Sequence, residues 1–192
     1  MSSLDADELF HLALKASEIG DHDKAINYLK ESIEQDPTPR AYYILAAEHT
    51  EIGMMQRAIE GMEKAVSLDP QLWTAHLQLG LLYLTQNLPD EAVNCWKALE
   101  QLPEDDALFC FGEGLVALVD EDVETCISCL KKGIALNISN PALNGDMEKI
   151  ISNINARLNS PDEKDSEEQD EKAEQGESKR HLFLSNYEGD KQ

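Results

Sequence analysis

The chain has 192 residues, of which 38 are acidic and 16 are basic, so its formal net charge at pH 7 is −22. A surface potential of this sign repels nucleic-acid phosphates and anionic lipid headgroups, which disfavours nucleic acid and membranes as partners. It favours instead a protein or peptide partner that carries basic residues beside its contact segment.

Residues 1–8 carry neither a positively charged region nor a continuous apolar stretch. A secretory signal needs both, and a transit peptide needs an arginine-rich amphipathic sequence. No segment of the chain reaches the roughly 18 consecutive apolar residues of a membrane-spanning helix. These features predict a cytoplasmic protein.

A small residue recurs at a nearly constant interval along most of the chain. Ala25, Ala58, Ala92 and Cys126 follow one another at separations of 33, 34 and 34 residues. A period of this length is typical of tandem helical hairpins. If the four residues occupy the twentieth place of a repeating unit, the units begin at Ala6, Pro39, Trp73 and Ala107.

Other places of this unit hold one kind of residue in most copies. The eighth place, where two helices must approach closely, holds Ala13, Ala46, Gly80 and Gly114. The twenty-fourth place holds the large apolar residues Leu29, Met62, Trp96 and Leu130. The twenty-seventh place is normally small and holds Ser32, Ala65, Leu99 and Gly133, with Leu99 as the misfit. This pattern, over about residues 6–140, resembles the tetratricopeptide repeat family.

The resemblance implies an all-α fold, a right-handed superhelix of tandem antiparallel helical hairpins known as an α-solenoid. The four repeats would cover about residues 6–38, 39–72, 73–106 and 107–140. Apolar residues at helical spacing predict a capping helix over 141–158, with a stripe formed by Leu143, Met147, Ile150, Ile151, Ile154 and Leu158. We expect one repeat domain over residues 1–158 and, from its polar composition, a disordered acidic tail over 159–192.

In this family, the first helix of each hairpin lines a concave groove that binds a partner polypeptide. The resemblance implies that the groove of this chain is lined by Phe10, Leu14, Tyr43, Ala47, Leu77, Leu81, Leu84, Leu108, Phe111, Leu115 and Leu118. These residues are mostly apolar, which predicts a non-catalytic adaptor or scaffold for an apolar partner segment. The carboxylate clamp of the family needs several Lys, Asn and Arg residues at such places. Only Arg40 is of that kind, so we expect no clamp.

Two alternatives to this function remain open. In the first alternative, the groove residues simply pack between neighbouring helices and are therefore buried in the isolated chain. In the second, the chain is a dedicated chaperone that holds an apolar client segment, similar to the small acidic tetratricopeptide chaperones of bacterial type III secretion. A fourth repeat and a long acidic tail argue against that resemblance.

A short apolar and basic island follows the acidic part of the tail. Lys179 and Arg180 precede four apolar residues, Leu182, Phe183, Leu184 and Tyr187. We predict that these four residues dock reversibly in the protein's own groove or on the partner. The alternative is a chance island in a disordered end.

Cys126 and Cys129 have the spacing of a redox or metal-binding pair, but no second pair and no nearby histidine accompany them. Cys126 also occupies the small-residue place of its repeat, so we interpret both residues as packing residues. The five histidines are scattered, and the chain has no phosphate loop, nucleophile elbow or dinucleotide fingerprint. We therefore predict no catalytic residue, no metal and no cofactor.

Overall fold

The computed structural model describes residues 4–159. Over this range the chain forms nine α-helices and a 3-10 turn, without any β-strand. The helices are α1 (Ala6–Glu18), α2 (His22–Gln35), α3 (Pro39–Glu51), α4 (Met55–Leu68), α5 (Trp73–Thr85), α6 (Pro89–Lys97), α7 (Ala107–Val119), α8 (Val123–Leu136) and α9 (Pro141–Leu158), with the 3-10 turn at Ala98–Gln101 after α6. The predicted all-α fold class is confirmed.

The described residues form two compact units. The first unit ends at Gln86 and contains α1 to α5, and the second begins at Asn87 and contains α6 to α9. The boundary lies inside the predicted third repeat, residues 73–106. A single repeat domain over residues 1–158 stays a prediction, and the predicted tail lies outside the described residues from residue 160 onward.

The first helices of the hairpins begin at the residues where the repeating units were placed, namely Ala6, Pro39, Trp73 and Ala107. Local capping fixes three of these starts. Asp5 accepts a hydrogen bond from the backbone N–H of Glu8 at 2.8 Å, and Glu8 accepts one from the backbone N–H of Asp5 at 3.0 Å. This reciprocal pair is a capping box. Thr38 and Asp106 cap α3 and α7 through their side-chain oxygens.

In the first unit, α1 packs against α2 and α3 packs against α4, while contacts between α2 and α3 and between α4 and α5 join these hairpins. The two hairpin turns contain Gly20 and Gly53, whose φ angles are 73° and 75°. Glycine takes this left-handed conformation without a steric penalty. A cluster of buried apolar residues fills the space among α1, α2 and α3: Phe10, Ala13, Ile26, Leu29, Ala41 and Leu45.

In the second unit, α7 and α8 approach closely because glycines lie at their contact. A Cβ atom added to Gly114 would lie 2.8 Å from Leu130 Cδ2, and one added to Gly133 would lie 2.5 Å from ring atoms of Phe111. Both distances are shorter than ordinary carbon contacts, so a side chain at either place would force Leu130 or Phe111 to shift. The small eighth place and the large twenty-fourth place of the fourth repeat therefore meet across this hairpin.

The misfit at Leu99 is accommodated within the second unit. The α-helix α6 gives way to the 3-10 turn around this residue, and Leu99 is 1% exposed. Gly112 of α7 faces it so closely that an added Cβ would lie 3.0 Å from Leu99 Cδ1. The large side chain at a normally small place is thus matched by a missing side chain on the facing helix.

Helix α9 packs against α8 and covers the range predicted for a capping helix. Five of the six stripe residues are buried, and the exception is Leu158 in the last turn, which is 61% exposed. The junction between α8 and α9 is held by Asn137, whose buried side-chain amide donates to the carbonyl of Asn140 and to Asn144 Oδ1, each at 2.8 Å.

Candidate protein-binding surfaces

The eleven predicted groove residues fall into two groups by exposure. Seven are buried in the described structure: Phe10, Leu77, Leu81, Leu84, Phe111, Leu115 and Leu118. The other four are half-buried: Leu14, Tyr43, Ala47 and Leu108. A buried side chain cannot contact a partner unless the helices rearrange, so in this conformation the packing alternative accounts for the seven. A role in partner binding stays a prediction, and the half-buried residues are the ones that a partner can reach.

Tyr43 is the largest of the reachable residues, and its position is fixed. Burial raises the pKa of Tyr43, and a hydrogen bond with the side chain of Thr74 opposes that rise. Because Thr74 belongs to α5, this bond ties α3 to α5 within the first unit. Ala47 lies one turn further along the same face of α3. A fixed aromatic ring loses little conformational freedom when it contacts a partner.

Arg40 lies in a shallow hollow of the first unit with Asp7, Phe10 and Asp36 among the lining residues. Its guanidinium carbon is 5.3 Å from the centroid of the Phe10 ring, which is within cation–π range. The two aspartates offer opposite charge in the same hollow. Arg40 therefore packs on an aromatic ring beside acidic groups, which is not the arrangement of several convergent cations that a carboxylate clamp requires.

A buried carboxylate joins the first three helices. Glu48 of α3 is 3% exposed and accepts a hydrogen bond from the Ser17 hydroxyl of α1 at 2.5 Å. Its other oxygen lies 2.8 Å from Nδ1 of His22, the first residue of α2. The hydrogen bond with Glu48 raises the pKa of His22. Sequence reasoning missed this network because no local signal separates one buried glutamate from the many exposed ones.

The next residue along α3, His49, is buried without a hydrogen-bond partner in residues 4–159. It is 5% exposed, and neither ring nitrogen is paired within that range. Burial lowers the pKa of His49, and the nearby charges of Lys30 and Arg57 lower it further, so the ring is mostly neutral at pH 7. An unsatisfied buried polar group costs about 1–3 kcal/mol. No feature of the sequence distinguished His49 from a packing residue.

His49 contributes to an open depression on the first unit, which we name the basic depression. Its lining comes from α2, α3 and α4 and consists of Lys30, Tyr42, Leu45, His49, Arg57, Glu60, Gly61 and Lys64. Three lining residues are permanently basic and one is acidic. Within the described part of the chain, none of these three basic side chains forms an ion pair.

The two cysteines with redox or metal spacing lie on α8. Cys126 is fully buried, and burial raises the pKa of its thiol to about 12. Burial also raises the pKa of the half-buried Cys129. Thiol exchange and metal binding need the thiolate, which is disfavoured at both positions at neutral pH. Both cysteines are free thiols, and residues 4–159 contain no cluster of three or more potential metal ligands.

No helix between residues 4 and 159 is long and apolar enough to cross a bilayer. The predicted tail motif, Leu182, Phe183, Leu184 and Tyr187, lies outside the described residues.

Comparison with known proteins places two of the predicted repeats in a family. Residues 9–39 and 39–72 match the tetratricopeptide repeat family. The chain is 31% identical over 103 residues to the Small glutamine-rich tetratricopeptide repeat-containing protein 2 of Saccharomyces cerevisiae. That match covers 53% of this chain and 30% of the yeast protein, so the chain spans less than a third of this relative's length.

Solved structures share the fold. A thermophilic TPR protein of Thermus thermophilus matches with a TM-score of 0.64 and 17% identity, over 80% of this chain and 83% of that chain. A chain of the APC/C hetero-tetramer Cut9-Hcn1 matches with a TM-score of 0.69 and 19% identity, over 80% of this chain and 30% of that chain. These similarities confirm the predicted fold of tandem helical hairpins. Residues 9–72 thus match two tetratricopeptide repeats, and the described residues share the fold of solved tetratricopeptide repeat structures.

Proposed function

We propose that the chain is a non-catalytic adaptor that binds a segment of another protein. Tetratricopeptide repeat proteins generally mediate interactions between proteins, and the family typically serves as a scaffold. The observation that carries the proposal is the reachable face of the first unit, where Leu14 of α1 and Tyr43 and Ala47 of α3 are half-buried. Leu108 of α7 is the corresponding candidate in the second unit.

The chemistry of these residues suggests what the partner carries. Leu14, Tyr43 and Ala47 favour an apolar side chain that makes van der Waals contact, with the Tyr43 ring as the anchor. The net charge of −22 favours basic residues beside that contact. The partner we propose is therefore an apolar polypeptide segment with basic flanks, met in the cytoplasm.

Partner capture with charged substitutions tests this surface. The intact chain and the variants Leu14→Glu and Ala47→Glu are used as bait, and bound proteins are identified and quantified. We expect a partner that binds the native chain at a defined stoichiometry and is retained at least about tenfold less by either variant, because a desolvated charge opposes apolar contact. His11→Glu introduces the same charge at an exposed position of α1 and should leave capture unchanged.

Unchanged capture by folded Leu14→Glu and Ala47→Glu would contradict the proposed surface. Circular dichroism of each variant establishes that the helices are retained. A captured client that aggregates in the absence of the chain would favour the chaperone alternative over the adaptor.

The tail motif at Leu182, Phe183, Leu184 and Tyr187 extends this proposal. We propose that it docks reversibly on the partner or in the protein's own groove. Deletion of residues 180–192 should then change the affinity for the captured partner, and an unaltered affinity would argue that the motif has no such role.

A further inference from the structure

The basic depression is separate from the proposed partner surface. Tyr42, Leu45 and His49 line it from α3, and their spacings of three and four residues place them on one face of that helix. Tyr43 and Ala47 lie on the opposite face, because each residue advances the helix by about 100°. An inference about the basic depression therefore does not rest on the proposed function.

Positive charge gathers in the basic depression although the chain carries a net charge of −22. Lys30, Arg57 and Lys64 all line it, and none of them has an ion-pair partner between residues 4 and 159. Elsewhere, Lys24 and Lys149 each pair with an aspartate three residues away. Arg57 donates a hydrogen bond to Met54 Sδ at 3.7 Å, but the positive charge of the three basic groups is not balanced by an ion pair within the described residues.

The imidazole of His49 lies in the wall of the basic depression, with both ring nitrogens buried and unpaired within residues 4–159. A neutral imidazole has one N–H donor and one acceptor nitrogen, and neither finds a partner in the described structure. Because both nitrogens are shielded from solvent, a carboxylate in the basic depression acts on this ring through its charge, and it pairs with the surrounding cations. Tyr42 and Leu45 add apolar contact for the rest of such a ligand. A carboxylate on a polypeptide therefore matches the basic and apolar groups of the depression.

The spacing of the basic residues sets the spacing of the charges that they can bind. Arg57 and Lys64 are seven residues apart on α4, which corresponds to about 10 Å along the helix. A polypeptide bound in the extended polyproline conformation presents every third side chain on one side, about 9 Å apart. The chain itself contains six acidic residues with this interval: Asp162, Asp165, Glu168, Glu171, Glu174 and Glu177.

We propose that the basic depression is a carboxylate-binding site whose occupant is the chain's own acidic segment, residues 162–177. This segment, which lies outside the described residues, contains nine acidic and two basic residues. Its charge complements that of Lys30, Arg57 and Lys64. Covalent attachment also gives the segment an effective concentration that a free acidic peptide lacks. The site therefore binds a polypeptide carboxylate that is present on every copy of the protein.

The titration of His49, followed by NMR on the full-length chain, tests the proposal. The charged groups that act on this imidazole are Lys30 of α2, Arg57 and Glu60 of α4 and Glu48 of α3 itself, and Lys64 of α4 lines the same depression. A bound carboxylate adds a negative charge, so His49 should bind its proton roughly threefold or more tightly in the native chain than in a chain without the acidic interval.

The comparison variant carries Asp162→Asn, Asp165→Asn, Glu168→Gln, Glu171→Gln, Glu174→Gln and Glu177→Gln. We expect the difference in His49 proton affinity to disappear in Lys30→Gln/Lys64→Gln and to shrink at about 1 M NaCl, where charges are screened within a few ångströms. Neutralising the three other acids of the segment is the control and should have the smaller effect, since they are out of the three-residue interval: Glu163, Glu167 and Asp170.

Three results would overturn the proposal. The first is an identical His49 titration in the native chain and in the six-residue variant. The second is a difference that vanishes on dilution, because the acidic segment of a second copy would then be the occupant. The third is a response of His49 to added inorganic phosphate that all tail variants share equally, because the basic depression would then bind a different anion.

Discussion

Both units have buried apolar cores, but the contacts between α1, α2 and α3 in the first unit differ from the contact between α7 and α8 in the second. In the first unit, the buried polar residues Ser32, Glu48 and His49 lie among the helices, and the carboxylate of Glu48 joins α1, α2 and α3. In the second unit, Gly114 and Gly133 let α7 and α8 approach to apolar contact. The stability of the first unit should therefore respond to hydrogen bonds and pH. That of the second should respond to side-chain volume.

Two tryptophans allow this contrast to be measured in one molecule. Trp73 belongs to the first unit and Trp96 to the second, and the chain contains no other tryptophan. Urea unfolding followed by fluorescence in Trp96→Phe or Trp73→Phe backgrounds reports on the first or the second unit, respectively. The change in the free energy of unfolding is obtained from the transition midpoint and slope.

The largest effect is expected from Phe111→Ala in the second unit. The ring of Phe111 is fully buried and contacts the surface left free by Gly133. Its removal should lower the free energy of unfolding by about 3–5 kcal/mol, since the site loses apolar contact and gains a cavity. The Trp96 signal should show the loss. A decrease below about 1 kcal/mol would contradict tight packing between α7 and α8.

Gly133→Ala tests the same contact from the opposite side. The added Cβ would meet the Phe111 ring at 2.5 Å, so overpacking should lower the free energy of unfolding by about 1–3 kcal/mol. In the Phe111→Ala background, this penalty should fall because the ring is gone. Gly145→Ala is the matched control, since nothing lies within 4 Å of its added Cβ, and it should stabilise α9 by up to about 1 kcal/mol.

In the first unit, Glu48→Gln should lower the free energy of unfolding by about 1–3 kcal/mol. The amide keeps the volume of the side chain but loses the charge that accepts hydrogen bonds from Ser17 and His22. The Trp73 signal should report the change. Glu51→Gln, at an exposed position of the same helix, should alter stability by less than about 0.5 kcal/mol. Equal effects of the two substitutions would argue against the network.

The hairpin turns offer a smaller test of the comparison. In the first unit these turns contain Gly20 and Gly53, whereas in the α7–α8 turn the left-handed residue is Glu121, with a φ of 62°. A residue with a side chain costs roughly 1–2 kcal/mol in this conformation. Glycine removes that cost, but its greater freedom in the unfolded chain offsets part of the gain. Glu121→Gly should therefore stabilise the second unit by about 1 kcal/mol, while Gly53→Ala destabilises the first by a similar amount. Denaturation midpoints that do not move in these directions would contradict this account.

The smallest effect is the dependence of the first unit on pH. The raised pKa of His22 contributes stability that is fully present below its unfolded value of 6.5 and is lost as the pH rises through its folded pKa. The lowered pKa of His49 contributes stability that is present above 6.5 and is lost as the pH falls through its folded pKa. The two effects together predict a maximum of stability near pH 6.5.

Unfolding between pH 5.5 and 8, followed through Trp73, measures that maximum. His22→Ala should remove the decline above 6.5, and His49→Phe should remove the decline below it. Residues 87–159 contain no histidine, so the Trp96 signal should change little over the same range. A parallel change in both signals would remove the contrast between the units.

Much of the fold could be predicted from the sequence because its determinants are local and periodic. The positions of Ala25 and Ala58 and their equivalents fixed the unit starts, and caps such as Asp5 and Thr38 begin the helices there. The left-handed conformation of Glu121 could not be predicted, because glutamate has no preference for it. Glu121 adopts this conformation because of its position in the turn between α7 and α8.

The candidate surfaces were less predictable, because they depend on what lies beside each side chain. The repeat places gave the helix to which Leu77 and Leu115 belong, but their burial is decided by neighbouring elements. The basic depression combines Lys30 of α2 with Lys64 of α4. These residues are far apart in the sequence and line the same depression only because α2, α3 and α4 pack together. The net charge of the whole chain is negative, so it gave no indication of a locally positive site.

The match between Leu99 and Gly112 limits how the repeats can be exchanged. Repeat arrays are often treated as interchangeable modules, since each repeat contacts only its neighbours. Here the module that ends in the 3-10 turn presents a leucine, and the following module receives it only because Gly112 has no side chain. A chimaera that keeps Leu99 but imports a following repeat with alanine at the place of Gly112 would force Leu99 to shift by a few tenths of an ångström in a closely packed contact. These two repeats are therefore a matched pair and should be transplanted together.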